Sequence, residues 1–394
     1  MKVFGSRCGG RKGVLAGVAI AASIAVTTAF ATSAGAHQQA KLELRIGAPM
    51  ALAGSWAVFD EPLLNGIKEG VKEINAKGGV NGVTVKLTYS DFRGDATQQL
   101  ASVQKMLDDG IKVFIASNGG SLGSNRLAVT KGAIIAAGSG TDPENTERVG
   151  PREYTFVFTD NQQASAGAQY ACEKGYRKVW LLNSPDSTYT GNMGAYFADA
   201  FAHFCKGKVV GKDAYKIGAA DYGAQVTKIQ NASTKPDVIF SAIFVPDSGS
   251  FLKALRSAGI KTPFISTDGN DSPLFAKSGG SAVNGAVYTT HGFPAKGSAM
   301  AQFVANYKRL MGKAPETNTI EAIGRDNVYA LAYAAAKAGS TDPDKILAEL
   351  AKLKNVKLAT GTITMNPKTR TPFKPITIVR MAGGKPTFVK AITP

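Results

Sequence analysis

A serine, an acidic residue and a histidine follow one another in an order that could support acyl-transfer chemistry. Ser121 is the central residue of the segment 119–123, a G-x-S-x-G pattern that presents a nucleophile on a strand-to-helix turn in α/β-hydrolases, and Asp268 and His291 come later. Only two strands are predicted before the strand that leads into this turn, whereas the hydrolase turn comes late in its sheet. Such patterns are also common by chance in a chain with 44 glycines. A serine hydrolase is therefore a remote alternative.

Two loops rich in Gly, Ser and Thr offer a different chemistry, the binding of an anion. Ser-Asn-Gly-Gly-Ser at 117–121 and Gly-Ser-Gly-Thr at 138–141 each follow a predicted strand. In open α/β sheets, ligands bind beyond the carboxyl ends of the strands, where helix N-termini and backbone N–H groups favour a carboxylate. Glycine lets the backbone approach a ligand closely. Ordinary turn chemistry is the alternative interpretation of both loops.

The residues that metals and cofactors require are scarce. The sequence has no phosphate-binding P-loop, no G-x-G-x-x-G and no H-E-x-x-H, and it contains only three histidines. After residue 36 the cysteines are Cys172 and Cys205, without a CxxC, so a zinc site is not expected. We expect no cofactor. Both cysteines lie near the ends of predicted helices that flank the strand Lys178–Asn183, so they could form one disulfide or remain buried thiols.

The first 36 residues have the three parts of a secretory signal. Four basic residues and no acidic one precede the apolar run 14–30, and Ala34-Gly35-Ala36 supplies an A-x-A cleavage site. The alternative is a retained membrane anchor, for which the run is at the lower limit of length. We expect cleavage after Ala36, no lipid anchor, and a soluble periplasmic product.

The charge balance is strongly basic. The formal net charge is +17, and removal of the four basic residues of the signal lowers it to +13. A basic excess can indicate nucleic-acid binding. The lysines, however, are scattered along predicted helical faces, with no arginine-rich tract. We expect a solvated basic surface and no nucleic-acid partner; a preference for anionic ligands or for an anionic membrane face is the alternative.

Strand and helix patterns alternate through the rest of the chain, which favours parallel sheets covered by helices on both faces. Strands are predicted at Leu42–Met50, Val83–Asp91, 112–117, 133–137, Lys178–Asn183, 209–215, 237–244, 264–267 and Val287–Thr290. Helices are predicted at 61–77, 97–109, 125–133, 162–174, 191–206, 222–233 and 247–259. The pattern begins again after 152–159, so two α/β lobes of similar size are expected.

The last hundred residues contain too little sheet for a third domain. Helices are predicted at 298–311, Thr319–Ala338 and 342–353, followed by short strands at 361–365 and 374–381. This tail should complete both lobes, so the chain would cross between them several times and form a hinge. The expected fold is α/β, with two doubly wound parallel-sheet lobes joined by a multi-strand hinge. The N-terminal lobe would comprise 37–160 and 292–370, and the C-terminal lobe 161–291 and 371–394.

Several short stretches together carry a family resemblance. They are IGAPM at 46–50, INAKGGVNG at 74–82, DGIKV at 109–113, TDPE at 141–144, LRSAGIKTP at 255–263 with TDG at 267–269, and AGSTDP at 338–343. Each is weak alone, but their order over nearly all of the chain after residue 36 resembles the leucine/isoleucine/valine-binding type of periplasmic substrate-binding proteins, which serve ABC importers. The resemblance implies the type I periplasmic-binding fold.

The resemblance also implies a set of polar ligand contacts. Residues at Ser139, Gly140 and Thr141 would hold the carboxylate and the ammonium of an amino acid. The family's serine in the preceding loop aligns with Asn118 from one side and with Gly120 or Ser121 from the other. Asp268 aligns with the acidic residue that pairs with the ligand ammonium, although the family often has glutamate there. A helix cap or an Asx-turn is its alternative.

Further contacts are implied for the rest of the ligand. Trp56 and Phe59, expected in the loop after the first strand, and Tyr189 and Phe244 in the second lobe would wall the side-chain pocket, or they belong to the core. Asp160, at the first crossing between lobes, would bind ligand or cap the helix that begins near it.

The resemblance implies a binding protein and not an enzyme. A small ligand would be enclosed between the lobes by hinge bending and delivered to an ABC permease in the membrane, and the receptor would act as a monomer. The expected ligand is a branched-chain or another amino acid. Aromatic or aliphatic carboxylates without an amine are the alternative.

Overall fold

A parallel five-stranded sheet forms the first part of the chain. The computed structural model describes residues 42–120, 122–317 and 319–393. The strands are β1 (Leu42–Met50), β2 (Val83–Asp91), β3 (Val113–Ile115), β4 (Ile134–Ala136) and β5 (Glu153–Tyr154), in the order β2-β1-β3-β4-β5. The helices between them are α1 (Ala57–Ala76), α2 (Ala96–Asp108), α3 (Leu122–Thr130) and α4 (Asn145–Val149). All four strand pairs are parallel, as predicted.

The second part repeats this pattern. It contains α5 (Asp160–Glu173), β6 (Lys178–Asn183), α6 (Thr188–Cys205), β7 (Lys208–Ala214), α7 (Gly223–Gln230), β8 (Val238–Phe240), α8 (Asp247–Ser257), β9 (Phe264–Ser266), α9 (Pro273–Gly279) and β10 (Val287–Thr290). Single 3₁₀ turns occupy Asp268–Asn270 and Gly280–Val283. The strands β7, β6, β8, β9 and β10 are neighbours in that order and run parallel.

The C-terminal part completes both halves. This was predicted because the last hundred residues contain too few strands for a third domain. It comprises α10 (Ala299–Met311), α11 (Thr319–Ala338), α12 (Pro343–Leu350), β11 (Val356–Leu358), β12 (Gly361–Asn366), β13 (Thr371–Phe373), β14 (Ile376–Ala382) and β15 (Lys385–Ile392). Helices α11 and α12 share a core with β1 and β3. Strand β14 extends the second sheet antiparallel to β10, and β15 pairs antiparallel with β14 at the edge, whereas β11, β12 and β13 form a small antiparallel sheet.

Each large sheet is covered by helices on both faces because its strands alternate between two cores. In β3, Val113 and Ile115 pack with α1 and α11, whereas Phe114 packs with α2 and α3. In β6, Leu181 packs with α5 and α6, whereas Leu182 packs on the opposite face. This is the doubly wound arrangement predicted for each lobe. We call the five-stranded sheet and its helices the first lobe, and the seven-stranded sheet and its helices the second lobe.

The described chain passes between the two sheets three times, at 155–159, 291–298 and 374–375. These passages form the expected multi-strand hinge. In the part of the chain that the structure describes, no helix has the length and apolar character needed to cross a membrane. The expected signal segment 1–36 and its cleavage after Ala36 lie outside the described residues.

Three predicted boundaries that bear on the site were wrong: α6 begins at Thr188 and not at 191, β8 ends at Phe240 and not at 244, and α1 begins early. Helix α1 begins at Ala57 and not near Glu61, because the N–H groups of Phe59 and Asp60 already bond to the carbonyl of Trp56. Trp56 and Phe59 therefore lie at the start of a helix and not in a loop. Trp56 makes no side-chain cap hydrogen bond, so no capping residue marks the earlier start in the sequence.

Candidate functional site

The carboxyl ends of the parallel strands of both lobes border one cavity of about 290 Å³. In the first lobe its walls come from the ends of β3 and β4 and from the start of α1. In the second lobe they come from the segments after β8, β9 and β10. Its walls include Trp56, Phe59, Asn118, Gly120, Ser139, Gly140, Thr141, Tyr189, Phe244, Asp268, His291, Ile320 and Ile323. This is the topological position at which open α/β sheets bind ligands.

A buried carboxylate organises the loop after β3. Asp60, in the first turn of α1, accepts hydrogen bonds from the hydroxyl of Ser117 and from the N–H of Ala51 at 2.8 Å. It also accepts from the backbone N–H and the side-chain amide of Asn118, at 2.8 and 2.9 Å. Burial raises the pKa of Asp60, and these hydrogen bonds oppose that rise. The sequence analysis missed Asp60, since nothing in its local pattern distinguishes it from a helix-capping acid.

The second loop of the first lobe offers backbone and hydroxyl donors. The hydroxyl of Ser139 donates to Oδ1 of Asn118 at 2.7 Å, which joins the two loops. The carbonyl of Thr141 accepts from the N–H of Asp160 at 2.8 Å. Within the described residues, the backbone N–H groups of Ser139 and Thr141 have no hydrogen-bond partner. These groups can therefore serve an anion in the cavity.

On the second lobe, Asp268 presents a carboxylate that is held from two sides. Tyr189 donates its hydroxyl to Oδ1 at 2.8 Å, and Nε2 of His291 lies 2.9 Å from Oδ2. The hydroxyl of Tyr189 also accepts from the N–H of Gly269 at 3.1 Å. The Asp268 side chain is 14% exposed. A close approach fixes the next residue as glycine, because a Cβ on Gly269 would lie 2.7 Å from Cβ of Phe244.

His291 is a buried neutral partner of Asp268. Its ring stacks on Phe158 with centroids 3.7 Å apart, and its side chain is only 2% exposed. Burial lowers the pKa of His291 below the ordinary value, although Asp268 opposes this shift. A neutral imidazole orients the Asp268 carboxylate without cancelling its charge. The sequence analysis had considered His291 only as part of a hydrolase triad.

Asp160 lies behind the cavity wall and not on it. It is the first residue of α5 and is fully buried, with the hydroxyl of Thr141 and the amide of Gln163 as hydrogen-bond donors to its carboxylate. Burial raises the pKa of Asp160 to about 8, and the bond from Thr141 opposes the rise. The cap of α5 is Thr159, with Gln162 completing a capping box, so Asp160 is not the cap considered from the sequence.

A chain of hydrogen bonds runs from the Thr141 loop of the first lobe to Asp268 of the second lobe. Asp160 contacts Thr141 on one side and Gln163 on the other. The Oε1 atom of Gln163 accepts from the N–H of Asp268 at 3.3 Å and from the hydroxyl of Thr289 at 2.8 Å. The first crossing between the lobes therefore links Thr141 to Asp268 behind the cavity.

Three aromatic side chains close one side of the cavity across the two lobes. The ring of Phe244 lies 6.3 Å from that of Trp56 and 5.6 Å from that of Phe59, between centroids. The loop after β3 supports Trp56, because a Cβ on Gly119 would lie 2.8 Å from its Cβ. The packed rings join first-lobe and second-lobe surfaces, so the structure has a closed cleft.

The structure thus brings most of the sequence-predicted site residues to one cavity. Trp56, Asn118, Ser139, Gly140, Thr141, Tyr189, Phe244 and Asp268 line it, and Asp160 stands one layer behind. Ser121 lies outside the described residues. Ile320 and Ile323 of α11 also line the cavity. Sequence reasoning missed them, although the apolar first turn of that helix was a usable signal.

The described residues offer little for metal or nucleophilic chemistry. No group of three or more His, Cys, Asp or Glu side chains in 42–120, 122–317 and 319–393 is arranged to hold a metal ion. His291 faces Asp268 through Nε2, and its Nδ1 atom is buried without a hydrogen-bond partner among the described residues. The arrangement suits the binding of a small zwitterion or anion by hydrogen bonds and charge.

Cys172 and Cys205 lie at the C-terminal ends of α5 and α6, on the same rim of the second lobe. The structure records a bond between them, with their Cα atoms 5.7 Å apart. The pairing is the one considered from the sequence, and the bond in solution stays a prediction.

Comparisons with known proteins agree with this architecture. A family model described as "Periplasmic binding protein" matches residues 43–385. The Leu/Ile/Val-binding protein homolog 2 of Brucella abortus (strain 2308) is 28% identical, over 91% of this chain and 93% of the relative. The leucine binding protein LivK of Thermotoga maritima MSB8 superposes with a TM-score of 0.80 at 25% identity, over 89% of this chain and 99% of that one.

A second similar structure holds an aromatic carboxylate. It is a solute binding protein of an ABC transporter from R. palustris in complex with 4-hydroxybenzoate, with a TM-score of 0.78 at 20% identity, over 89% of this chain and 97% of that one. This likeness shows the fold alone. The family match covers both lobes and every described residue of the cavity, and the chain therefore belongs to the periplasmic binding protein family.

Proposed function

We propose that this protein is an extracytoplasmic receptor that encloses a small amino acid, of which branched-chain amino acids are the leading candidates, and delivers it to an ABC permease. One observation carries the proposal. Asp268 of the second lobe and the donor loops at Ser139 and Thr141 of the first lobe border the same cavity. A carboxylate and an anion-binding loop on opposite walls are complementary to a zwitterion, whose ammonium and carboxylate lie side by side.

The first-lobe wall would hold the ligand carboxylate. The N–H groups of Ser139 and Thr141 have no partner among the described residues, and charge-assisted bonds to a carboxylate are stronger than neutral ones. The Asn118 amide is bonded on both sides, to Asp60 and to Ser139. In this proposal Asn118 therefore fixes the loop geometry and contacts the ligand less directly than the serine of the resembling family.

The second-lobe wall would hold the ligand ammonium. Tyr189 and His291 each use one oxygen of Asp268, and a carboxylate can accept further bonds at both oxygens. Because burial keeps His291 neutral, the Asp268 charge is left for the ligand. The aromatic trio of Trp56, Phe59 and Phe244 would then cover the ligand side chain.

The ligand class draws further support from the relatives. Two of them carry leucine or Leu/Ile/Val in their names, and a cavity of about 290 Å³ suits a ligand of that size. A carboxylate without an amine is the second candidate. The aromatic wall favours it, and the R. palustris protein of the same fold holds 4-hydroxybenzoate. In that case Asp268 would have to accept a hydrogen bond from a hydroxyl group of the ligand.

The remaining parts of the proposal concern the cellular role. We propose export with cleavage after Ala36, a monomeric periplasmic protein, and lobes comprising 37–160 with 292–370 and 161–291 with 371–394. The change of sheet after β5 and the return of β14 to the second sheet support this division, and the pairing of β13 with β12 moves its last boundary to 374–375. We also propose that the protein has no catalytic role, since the ligand would leave unchanged.

Titration calorimetry with three compounds tests the ligand class. Leucine, its deaminated analogue 4-methylpentanoate and 4-hydroxybenzoate differ in the amine and in the aromatic ring. Tight binding of leucine with weak binding of 4-methylpentanoate is expected; equal binding of the two would refute the ammonium site. Preferred binding of 4-hydroxybenzoate would select the second candidate. Labelling of Ser121 by a fluorophosphonate probe would instead indicate a hydrolase.

A further inference from the structure

A second cavity, of about 480 Å³, lies at the end of the second sheet that is remote from the cleft. Phe264 and Val287, the first residues of β9 and β10, border it, whereas the cleft lies beyond the last residues of those strands. Its polar walls comprise Asn284, two tyrosines and four cationic residues: Tyr170, Tyr176, Lys174, Arg256, Lys261 and Arg380. We call this cavity the basic pocket.

The basic pocket contains four cations and no carboxylate in its lining. Within the described residues, Lys174, Arg256, Lys261 and Arg380 form no ion pair. Nearby acids are engaged elsewhere: Glu173 pairs with Lys390 at 2.9 Å, and Asp237 accepts from the backbone N–H groups of residues 177 and 178. Four like charges around one concavity make its potential positive, which favours an anion there, although Lys174, Lys261 and Arg380 are exposed to solvent.

Arg256 is the fixed element of the basic pocket. Its Nη1 atom donates to the carbonyls of Ile260 and Thr262, at 2.7 and 3.1 Å, which holds the half-buried guanidinium in place. Its Nε and Nη2 groups have no recorded partner in the described part of the chain. Burial lowers the pKa of Arg256, and no acidic neighbour opposes that shift. Arg256 also lines an adjoining groove of about 550 Å³ together with Lys253, so the positive surface extends beyond the pocket.

The chemistry of the lining indicates which anion fits. A phosphate monoester carries about 1.5 to 2 negative charges at neutral pH and three acceptor oxygens, whereas a carboxylate carries one charge. Arginine binds phosphate through parallel N–H bonds, and lysine adds point charge. Tyr170 and Tyr176 add hydroxyl donors and an apolar surface beside the cations. We propose that the basic pocket binds a phosphate-bearing anion, from either a soluble phosphate compound or an anionic lipid headgroup.

A pair of matched double variants tests this site in the full-length mature protein. Lys261→Gln with Arg380→Gln removes two cations from the pocket and leaves Arg256, which supports its loop, in place. Lys86→Gln with Lys357→Gln removes two exposed, unpaired lysines from the first lobe and serves as the control. Both variants should keep the thermal midpoint and the cleft-ligand affinity of the unchanged protein, which shows that they are folded.

Two probes distinguish the sources of phosphate. Calorimetry with inorganic pyrophosphate tests a soluble ligand, and co-sedimentation with phosphatidylcholine vesicles, with and without phosphatidylglycerol, tests a headgroup. The pocket variant should bind at least one of the two probes about 30-fold more weakly than the unchanged protein, as expected for the loss of two cations at an anionic surface. The control variant should bind both probes as the unchanged protein does. Equal losses in both variants, or no binding of either probe by the unchanged protein, would overturn the proposal.

Discussion

The Nε2 atom of His291 lies 2.9 Å from Oδ2 of Asp268, at the point where β9 and β10 of the second lobe meet the cleft. An ionised carboxylate only accepts hydrogen bonds, so Nε2 is the protonated nitrogen of a neutral ring. Burial lowers the pKa of His291, which keeps this ring neutral near pH 7. The pair therefore delivers a fixed, negatively charged carboxylate to the cavity.

Replacement of Asp268 should weaken amino-acid binding strongly. Removing one partner of a buried, hydrogen-bonded charge pair costs about 2–5 kcal/mol, so Asp268→Ala should lower the affinity roughly 30-fold to several thousand-fold. Asp268→Asn keeps the shape of the side chain and loses the charge, so it should also bind poorly. Calorimetry with leucine measures both effects.

The matched control for this experiment is Asp199→Asn, on the exposed face of α6. It loses the same charge in the same lobe and should bind leucine normally. If Asp268→Asn binds leucine with unchanged affinity, Asp268 is a turn residue and not a ligand contact. The ligand ammonium would then not be held by Asp268.

Ligand binding should change the environment of Trp56. The closed cleft packs Trp56 against Phe244, with ring centroids 6.3 Å apart, and an open cleft would separate them. The chain has two tryptophans, and the other, Trp180, is buried in the second lobe. Leucine should therefore alter the fluorescence of the unchanged protein but not of Trp56→Phe.

Small-angle scattering should report a smaller radius of gyration with ligand, and an unchanged radius at saturation would contradict hinge closure.

Asp160 should make the folded state less stable as the pH rises. Its pKa is about 8 in the fold, against 3.8 as the ordinary value, so the native state retains a proton that the unfolded chain releases. Its contribution is complete below about pH 4 and is lost as the pH rises through about 8. Asp160→Asn should flatten this fall in thermal midpoint across that range, while Asp199→Asn should not. Parallel slopes for Asp160→Asn and the unchanged protein would refute the shift.

Cys172 and Cys205 should be bonded in the exported protein. The bond joins the ends of α5 and α6 across 33 residues, and closing a loop of that size stabilises a fold by about 2–4 kcal/mol. Reduction should therefore lower the thermal midpoint. Mass spectrometry after alkylation without reductant should find neither thiol labelled, and labelling of both in denaturant would show two free cysteines.

The mature chain should begin at His37. The expected signal 1–36 has a basic start, an apolar run and an A-x-A site, so a signal peptidase should cut after Ala36. N-terminal sequencing of the periplasmic fraction measures the start. A chain that begins at Met1 and stays in the membrane fraction would remove the basis for the proposed receptor role.

Much of the fold could be predicted from the sequence because its strands and helices are strongly periodic. Leu42–Met50, Val83–Asp91, Lys178–Asn183 and Thr319–Ala338 have the predicted bounds. Strand β15 was missed because Lys385–Ile392 is a mostly exposed edge strand with a weak apolar pattern. It is defined by pairing with β14, which is a tertiary contact.

The sequence by itself determined the alternation of elements, the loops at strand ends, and the candidacy of Ser139, Thr141 and Asp268. The alternation and the loops follow from local spacing and from the rule that parallel strands end at one edge of a sheet, whereas the roles of these three residues follow from the family resemblance. Only the tertiary structure decided that Asp60 holds the loop of Asn118, since these residues are 58 positions apart and meet through packing of α1 beside β3. It likewise moved Asp160 behind the wall and set His291 against Asp268. Burial and pairing between distant segments fix these roles, and no local pattern encodes them.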